Sequence, residues 1–170
     1  LERASRLARD RHLPMVAIKA GSSARGAGLA LSHTASLAGT DRVADALLDR
    51  LGIARVRSLD SLIETLKLLH VHGPLSGSRI CSMSCSGGEA MLMADAAESR
   101  DVSFPELSPD QHQQVRETLT DLVTVSNPLD YHTFNWNDEE KLYQTYRTML
   151  SCGFDLSVLV LDFPRRDNCQ

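Results

Sequence analysis

The sequence predicts an α/β fold in which parallel sheets are flanked by helices, and three observations predict it. Short apolar runs at residues 15–19, 53–56, 79–84 and 156–163 alternate with longer stretches whose apolar residues recur three and four positions apart, the pattern of strands alternating with amphipathic helices. Two glycine turns follow strands, at Gly21-Ser22-Ser23 and at Cys85-Ser86-Gly87-Gly88. The 170 residues are 42% hydrophobic and 24% charged, which gives the chain enough apolar material to bury a core.

Residues 1–11 carry Arg, Ala and Leu near helical spacing, and Pro14 biases the residue before it toward an extended start for the strand at 15–19. The glycine-rich stretch 24–40 is expected to be looped. Asp41 opens a helix on which Val43, Leu47, Leu48 and Leu51 share a face, and Gly52 stands where a left-handed C-cap is wanted. After the strand at 53–56, Ser58 or Asp60 can cap a helix carrying Leu62, Ile63, Leu66 and Leu69, which Gly73-Pro74 ends. A domain boundary fits at 71–77, dividing the chain into 1–72 and 73–170. The second part restarts the same order. A strand at 79–84, the glycine turn and a helix at 89–99 are followed by a helix at 109–119, an Asn127-Pro128-Leu129-Asp130 turn, a helix at 138–150 and a strand at 156–163. A doubly wound sheet holds about five strands. The first part supplies two, so both sheets are expected to be incomplete and the chain reads as a stretch of a longer enzyme.

A net charge of −4, with no run of Lys or Arg able to track a phosphate backbone, argues against a nucleic-acid partner. No apolar run approaches the roughly 18 to 20 residues needed to span a bilayer, so no membrane partner and a cytoplasmic location are expected. Cys81, Cys85, Cys152 and Cys169 have neither paired zinc-ligand spacing nor the density of a disulfide framework, and reduced thiols are expected. His70 and His72 flank Val71 with no second ligand cluster after them, so no metal site is expected.

Two segments carry candidate chemistry. In Ser32-His33-Thr34-Ala35-Ser36-Leu37-Ala38-Gly39-Thr40 a histidine sits among small and hydroxylated residues, which leave room for a ligand. Taken alone, the same histidine could be a hydrogen-bonded structural residue. In Ser84-Cys85-Ser86-Gly87-Gly88-Glu89 the glycines let backbone N–H groups turn toward an anion, and the helix that follows adds its positive end. A tight connection without a ligand fits the same residues.

The string over 26–59, SHTASLAGT followed by DALLDRLGIARVRSLDSL, resembles the phosphohistidine loop of the succinyl-CoA synthetase alpha subunit and its ADP-forming acetyl-CoA synthetase relatives. His33, Gly39, Gly52, Val56 and Ser58 fall on that pattern, and Ala35 stands where a typical relative has glycine. Residues 80–95 resemble the strand, glycine turn and helix of a second ligase-type domain, and Asn127-Pro128-Leu129-Asp130 the NPLD turn that follows. Phe163-Pro164-Arg165-Arg166 departs from the glycines some relatives have after the last strand.

The resemblance implies flavodoxin-like domains, with 1–72 as the C-terminal half of a first ligase domain and 73–170 as a second CoA-ligase-type domain. It further implies an NDP-forming acyl-CoA synthetase. In such an enzyme an ATP-grasp domain phosphorylates His33, the phosphoryl group activates a carboxylic acid, and the CoA thiol attacks the acyl phosphate. Ser86, Gly87 and Gly88 would hold the phosphate through backbone amides, with Asn127 and Asp130 on the substrate side. CoA, ATP or ADP and magnesium would be bound mainly by regions outside these residues, namely an ATP-grasp domain or subunit and a CoA-binding domain. Self-association into a homo-oligomer is left open. The rival reading, a non-catalytic ligand-sensing region of a protein acetyltransferase, is disfavoured by an intact histidine loop.

Overall fold

The computed structural model describes residues 1–34, 39–136 and 138–161, the side chains of 31–34 and 135 excepted. It divides into two units, Leu1–Pro74 and Leu75–Gln170.

Unit one runs α1 (Glu2–Asp10), β1 (Val16–Ile18), α2 (Ala24–Thr34), α3 (Asp41–Leu51), β2 (Ala54–Val56) and α4 (Leu59–His72). β1 and β2 pair in parallel, Val16 opposite Ala54 and Ile18 opposite Val56. Two helices separate them in sequence, as parallel pairing requires a crossover. Leu48, Leu51 and Ile53 form the core, with Met15, Ala17 and Leu47 packed against it. Gly52 takes φ 65°, and the Ile53 N–H donates to the Leu48 carbonyl at 2.9 Å, which ends α3 in the left-handed turn the sequence called for. Ser58 caps α4 by accepting from the Ser61 N–H at 3.1 Å. No residue of α4 is fully buried: Leu62, Leu68 and Leu69 are half-buried, while Ile63 and Leu66 of the expected apolar face are exposed.

The expected loop over 24–40 is corrected for 24–34, which form α2. The Ser23 hydroxyl accepts from the Gly26 N–H at 3.1 Å, and the Ser23 carbonyl accepts from the Ala27 N–H at 2.8 Å, so the serine starts a helix. A side chain on Gly26 would place its Cβ 3.1 Å from the Gly21 Cα. This glycine therefore serves a close approach of backbone, and the alanines and leucines after it sustain the helix.

Unit two runs β3 (Ile80–Ser84), α5 (Gly87–Ala97), α6 (Pro109–Arg116), β4 (Leu129–Asp130), a 3-10 turn (Thr133–Asn135), α7 (Glu139–Leu150) and β5 (Leu156–Leu159). Its parallel sheet has the order β4-β3-β5, with Ser84 opposite Asp130 and Ile80 opposite Leu156. Every residue of β3 is buried, as expected of a central strand covered on both faces. Met83, Val115, Leu129 and Met149 are at most 2% exposed and anchor the core. Ser108 and Gln111 form a reciprocal capping box on α6, and the Gln111 amide also donates to the Cys152 carbonyl at 2.9 Å, tying α6 to the residues after α7. The Asn127-Pro128-Leu129-Asp130 turn is corrected at its end, where Leu129 and Asp130 form β4. Two residues are too few to show a strand period. Cys81, Cys85 and Cys152 are buried in this unit and outside any disulfide among the described residues, and Cys169 lies outside those residues. No helix among the described residues is long and apolar enough to cross a membrane.

Candidate functional site

The chain passes from β3 to β4 on one side of the sheet and then to β5 on the other, so the carboxyl end of β3 lies at the point where strand order reverses. Ligands of doubly wound sheets collect at such points. The turn from Cys85 to α5 occupies it. Ser86 is extended, with φ −137° and ψ 129°, and α5 begins at Gly87. The first N–H groups of a helix have no acceptor within it, and in α5 these belong to the glycine turn. The Ser84 hydroxyl holds the turn by donating to the Ser86 carbonyl at 3.1 Å, while the Ser86 side chain makes no capping bond. The absence of side chains keeps the approach open. A Cβ on Gly88 would meet only the Ser86 hydroxyl, at 3.5 Å.

Asp130 closes the other side of the turn. Its Oδ2 lies 3.2 Å from where a Cβ on Gly87 would be. β4 brings it there, and the Tyr131 N–H extends the pairing by donating to the Ser84 carbonyl at 2.9 Å. The Asp130 carboxylate accepts from the His132 N–H at 2.9 Å through Oδ1, and the His132 Nε2 stands 3.4 Å from Oδ2. His132 reaches this position at φ 58° and ψ 164°, and its ring stacks on Phe134 with centroids 5.2 Å apart. Behind it Tyr131 is buried and packs edge-on against Tyr146 at 5.4 Å. Burial first, and then the hydrogen bond with Tyr146, push the Tyr131 phenol well above its ordinary range, so it is neutral at physiological pH.

Asn127 is elsewhere. Its Nδ2 donates to the carbonyls of Ile80 and Pro105, both at 3.0 Å, at the amino end of β3. Of the residues named from sequence, Ser86, Gly87, Gly88 and Asp130 converge on one turn, while Asn127 fastens the opposite end of the strand. His33 lies in the last turn of α2, and its side chain, with residues 35–38, is outside the described part. His132 was given no role by the sequence. Its signal was its place two residues beyond the Asn127-Pro128-Leu129-Asp130 motif.

In unit one, Lys19, just after β1, is joined by Arg55 and Arg57 at β2 and its end. Arg55 bonds Asp41 at 2.6 Å and also Asp45, and Lys19 stands 3.7 Å from Asp41. The Arg55 hydrogen bond holds the Asp41 carboxyl below the usual carboxylate value. A cavity of about 260 Å³ opens beside this cluster, lined by Gly21, Ser22, Ser23 and Asp41 among others. Among the described residues, no group of three or more His, Cys, Asp or Glu is placed to hold a metal ion.

Residues 1–69 match the family model described as a succinyl-CoA ligase like flavodoxin domain. The chain is 30% identical over 117 residues to the alpha subunit of an ADP-forming acetate–CoA ligase II from Pyrococcus furiosus, a match covering 69% of this chain and 25% of that one. It is 30% identical over 133 residues to ADP-forming acetate–CoA ligase II of Archaeoglobus fulgidus, covering 78% and 20% respectively. The match therefore spans a quarter or less of these relatives' length. A dinucleotide-forming acetyl-coenzyme A synthetase 1 of Ca. Korarchaeum cryptofilum, solved in complex with phosphate and ADP, shares the fold with a TM-score of 0.77 at 21% identity, over 93% of this chain and 34% of that one. Residues 1–69 are thus identified as a succinyl-CoA ligase like flavodoxin domain, and the chain is a homologue of part of the ADP-forming acetate–CoA ligases.

Proposed function

We propose that this chain is part of an ADP-forming acyl-CoA synthetase in which His33 carries a phosphoryl group and the turn at Ser86, Gly87 and Gly88 holds that group at one of its stations. The observation that carries the reading is the open glycine turn at the strand-order reversal, which leads into the 11 residues of α5 with the Ser86 hydroxyl free of any cap bond. Relatives named as CoA ligases, and a neighbour of the same fold solved with phosphate and ADP, support it.

A neutral imidazole nitrogen of His33 attacks the γ-phosphorus of ATP and ADP leaves. A carboxylate oxygen of the acid then takes the phosphoryl group from the imidazole, giving an acyl phosphate. The CoA thiolate attacks its carbonyl carbon and inorganic phosphate leaves. The N–H groups at the start of α5 stabilise the charged oxygens before and after transfer, with no reorganisation needed during it. An ATP-grasp domain supplies the nucleotide with its magnesium, and a CoA-binding domain supplies the thiol.

The test is His33→Asn in the enzyme assembled with those domains. With labelled ATP, the native enzyme takes up a label on imidazole that acid removes and base does not. The variant is expected to lose both the label and acyl-CoA formation, while His70→Asn keeps them. A labelled, active His33→Asn variant would reject the phosphoryl role.

A further inference from the structure

The site holds a carboxylate where an anion is expected, and one residue answers it. Asp130 Oδ2 lies against Gly87, and a bare negative charge there would repel a phosphoryl group approaching the start of α5. His132 engages both oxygens of that carboxylate, its backbone N–H at 2.9 Å from Oδ1 and its Nε2 at 3.4 Å from Oδ2. To do so it adopts φ 58° and ψ 164°, a region that is almost exclusively glycine's. Strain of this kind persists only where the surroundings impose it, and it gathers at functional sites. Glycine would fit this backbone without strain, yet the position holds an imidazole, braced on Phe134 and with its side chain 45% exposed toward solvent.

We propose that His132 is a positioning residue that holds both oxygens of the Asp130 carboxylate toward itself, so that the carboxylate is kept turned away from a phosphoryl group at the α5 turn. The inference rests on the phosphate role assigned to that turn. His132 acts through Asp130 and forms no covalent bond with the transferred group. Asp130 in turn fixes the tilt of the imidazole and the course of the chain into the 3-10 turn.

Four enzymes separate positioning of the carboxylate from mere structure, each assayed with the companion domains in the direction that consumes inorganic phosphate. His132→Gln keeps a polar side chain and removes the ring that stands against Asp130 Oδ2, so the carboxylate can turn toward the anion and KM for phosphate rises about tenfold with kcat within about twofold. His132→Gln combined with Asp130→Asn also removes the carboxylate's charge, and KM returns to within about threefold of native. His132→Gly relieves the backbone and raises the melting temperature while raising the phosphate KM as much as His132→Gln does. A phosphate KM unchanged in His132→Gln overturns the proposal. So does a double variant no better than the single one, because a structural role would make the second substitution additive. Acid-labile labelling of the native enzyme keeps the two readings apart. If His33 is labelled and the KM values do not move, only the role of His132 fails; if the native enzyme takes no label, the phosphoryl reading itself fails.

Discussion

Gly88 offers a test in which stability and function move in opposite directions. The residue lies in the first turn of α5 with φ in the ordinary range, and a Cβ there meets only the Ser86 hydroxyl at 3.5 Å, an ordinary contact. Alanine is favoured over glycine by about 1 kcal/mol within a helix, and somewhat less in its first turn. Gly88→Ala should therefore stabilise unit two by about 0.5 to 1 kcal/mol, which for a unit of this size raises its melting temperature by roughly 2 to 8 °C. Gly87→Ala gains the same propensity but sets its Cβ 3.2 Å from Asp130 Oδ2, so the carboxylate must shift by a few tenths of an ångström and the gain should largely vanish. A selection for stability alone would have kept alanine at position 88. If glycine stands there to let phosphate oxygens reach the backbone, the stabilised Gly88→Ala enzyme should show a phosphate KM raised about tenfold, about 1.4 kcal/mol of lost binding. Gly88→Val should lose more. Thermal unfolding and initial rates with varied phosphate check both. A Gly88→Ala enzyme that is more stable and binds phosphate as before refutes the phosphate role of the turn, and one that is less stable refutes the geometry from which the stability gain was worked.

Further perturbations probe the frame. Leu129→Ala empties a site with no exposure in β4 and should cost about 2 to 5 kcal/mol in denaturant unfolding. Thr145→Val removes a buried hydroxyl that bonds the Lys141 carbonyl at 2.9 Å and the Thr118 hydroxyl at 3.1 Å, and should cost about 0.5 to 1.5 kcal/mol, the net worth of such a bond. Asp41→Asn should destabilise unit one near neutral pH. The folded Asp41 pKa is lowered by Arg55, so its contribution is complete above the unfolded carboxylate value near about 3.9 and is lost as pH falls through the lower folded value. A stability gap between native and variant that stays constant from pH 7 into acid would contradict that sign. Cys81 is fully buried and its thiol is pushed up by burial, so it should resist alkylation until the protein is unfolded; rapid labelling of the native protein by iodoacetamide would contradict the packing of β3.

Much of the fold was legible because its signals are local. Gly52 after a helical apolar stripe and Ser58 before the next one each name a helix boundary by the hydrogen bond that the residue can make. The strand at 79–84 was legible from its place before the glycine turn, while its central position and burial on both faces came from the structure. What failed was also physical. In 24–34 the glycines suggested a loop, but Gly26 is needed where the chain passes close to Gly21, and one serine hydroxyl suffices to start the helix around it. β4 is visible only through its partner, because two residues acquire strand identity from β3 and not from their own pattern.

The site divides along the same line. Ser86, Gly87 and Gly88 could be read from sequence because their chemistry lies in what they lack, a side chain between the backbone and an anion. Asp130 and Asn127 could not be told apart in that way. Both sit in one four-residue motif, and only the sheet register shows that Asp130 reaches the carboxyl end of β3 beside Gly87 while Asn127 fastens the amino end through Ile80. His132 was hidden for a further reason. A histidine two residues past an aspartate is unremarkable until its backbone is seen in a conformation that glycine would adopt freely, with both carboxylate oxygens of Asp130 turned toward it. Backbone strain is a property of the folded chain, so the residue that holds the carboxylate of the site emerges only when the structure shows what that residue gives up to stand there.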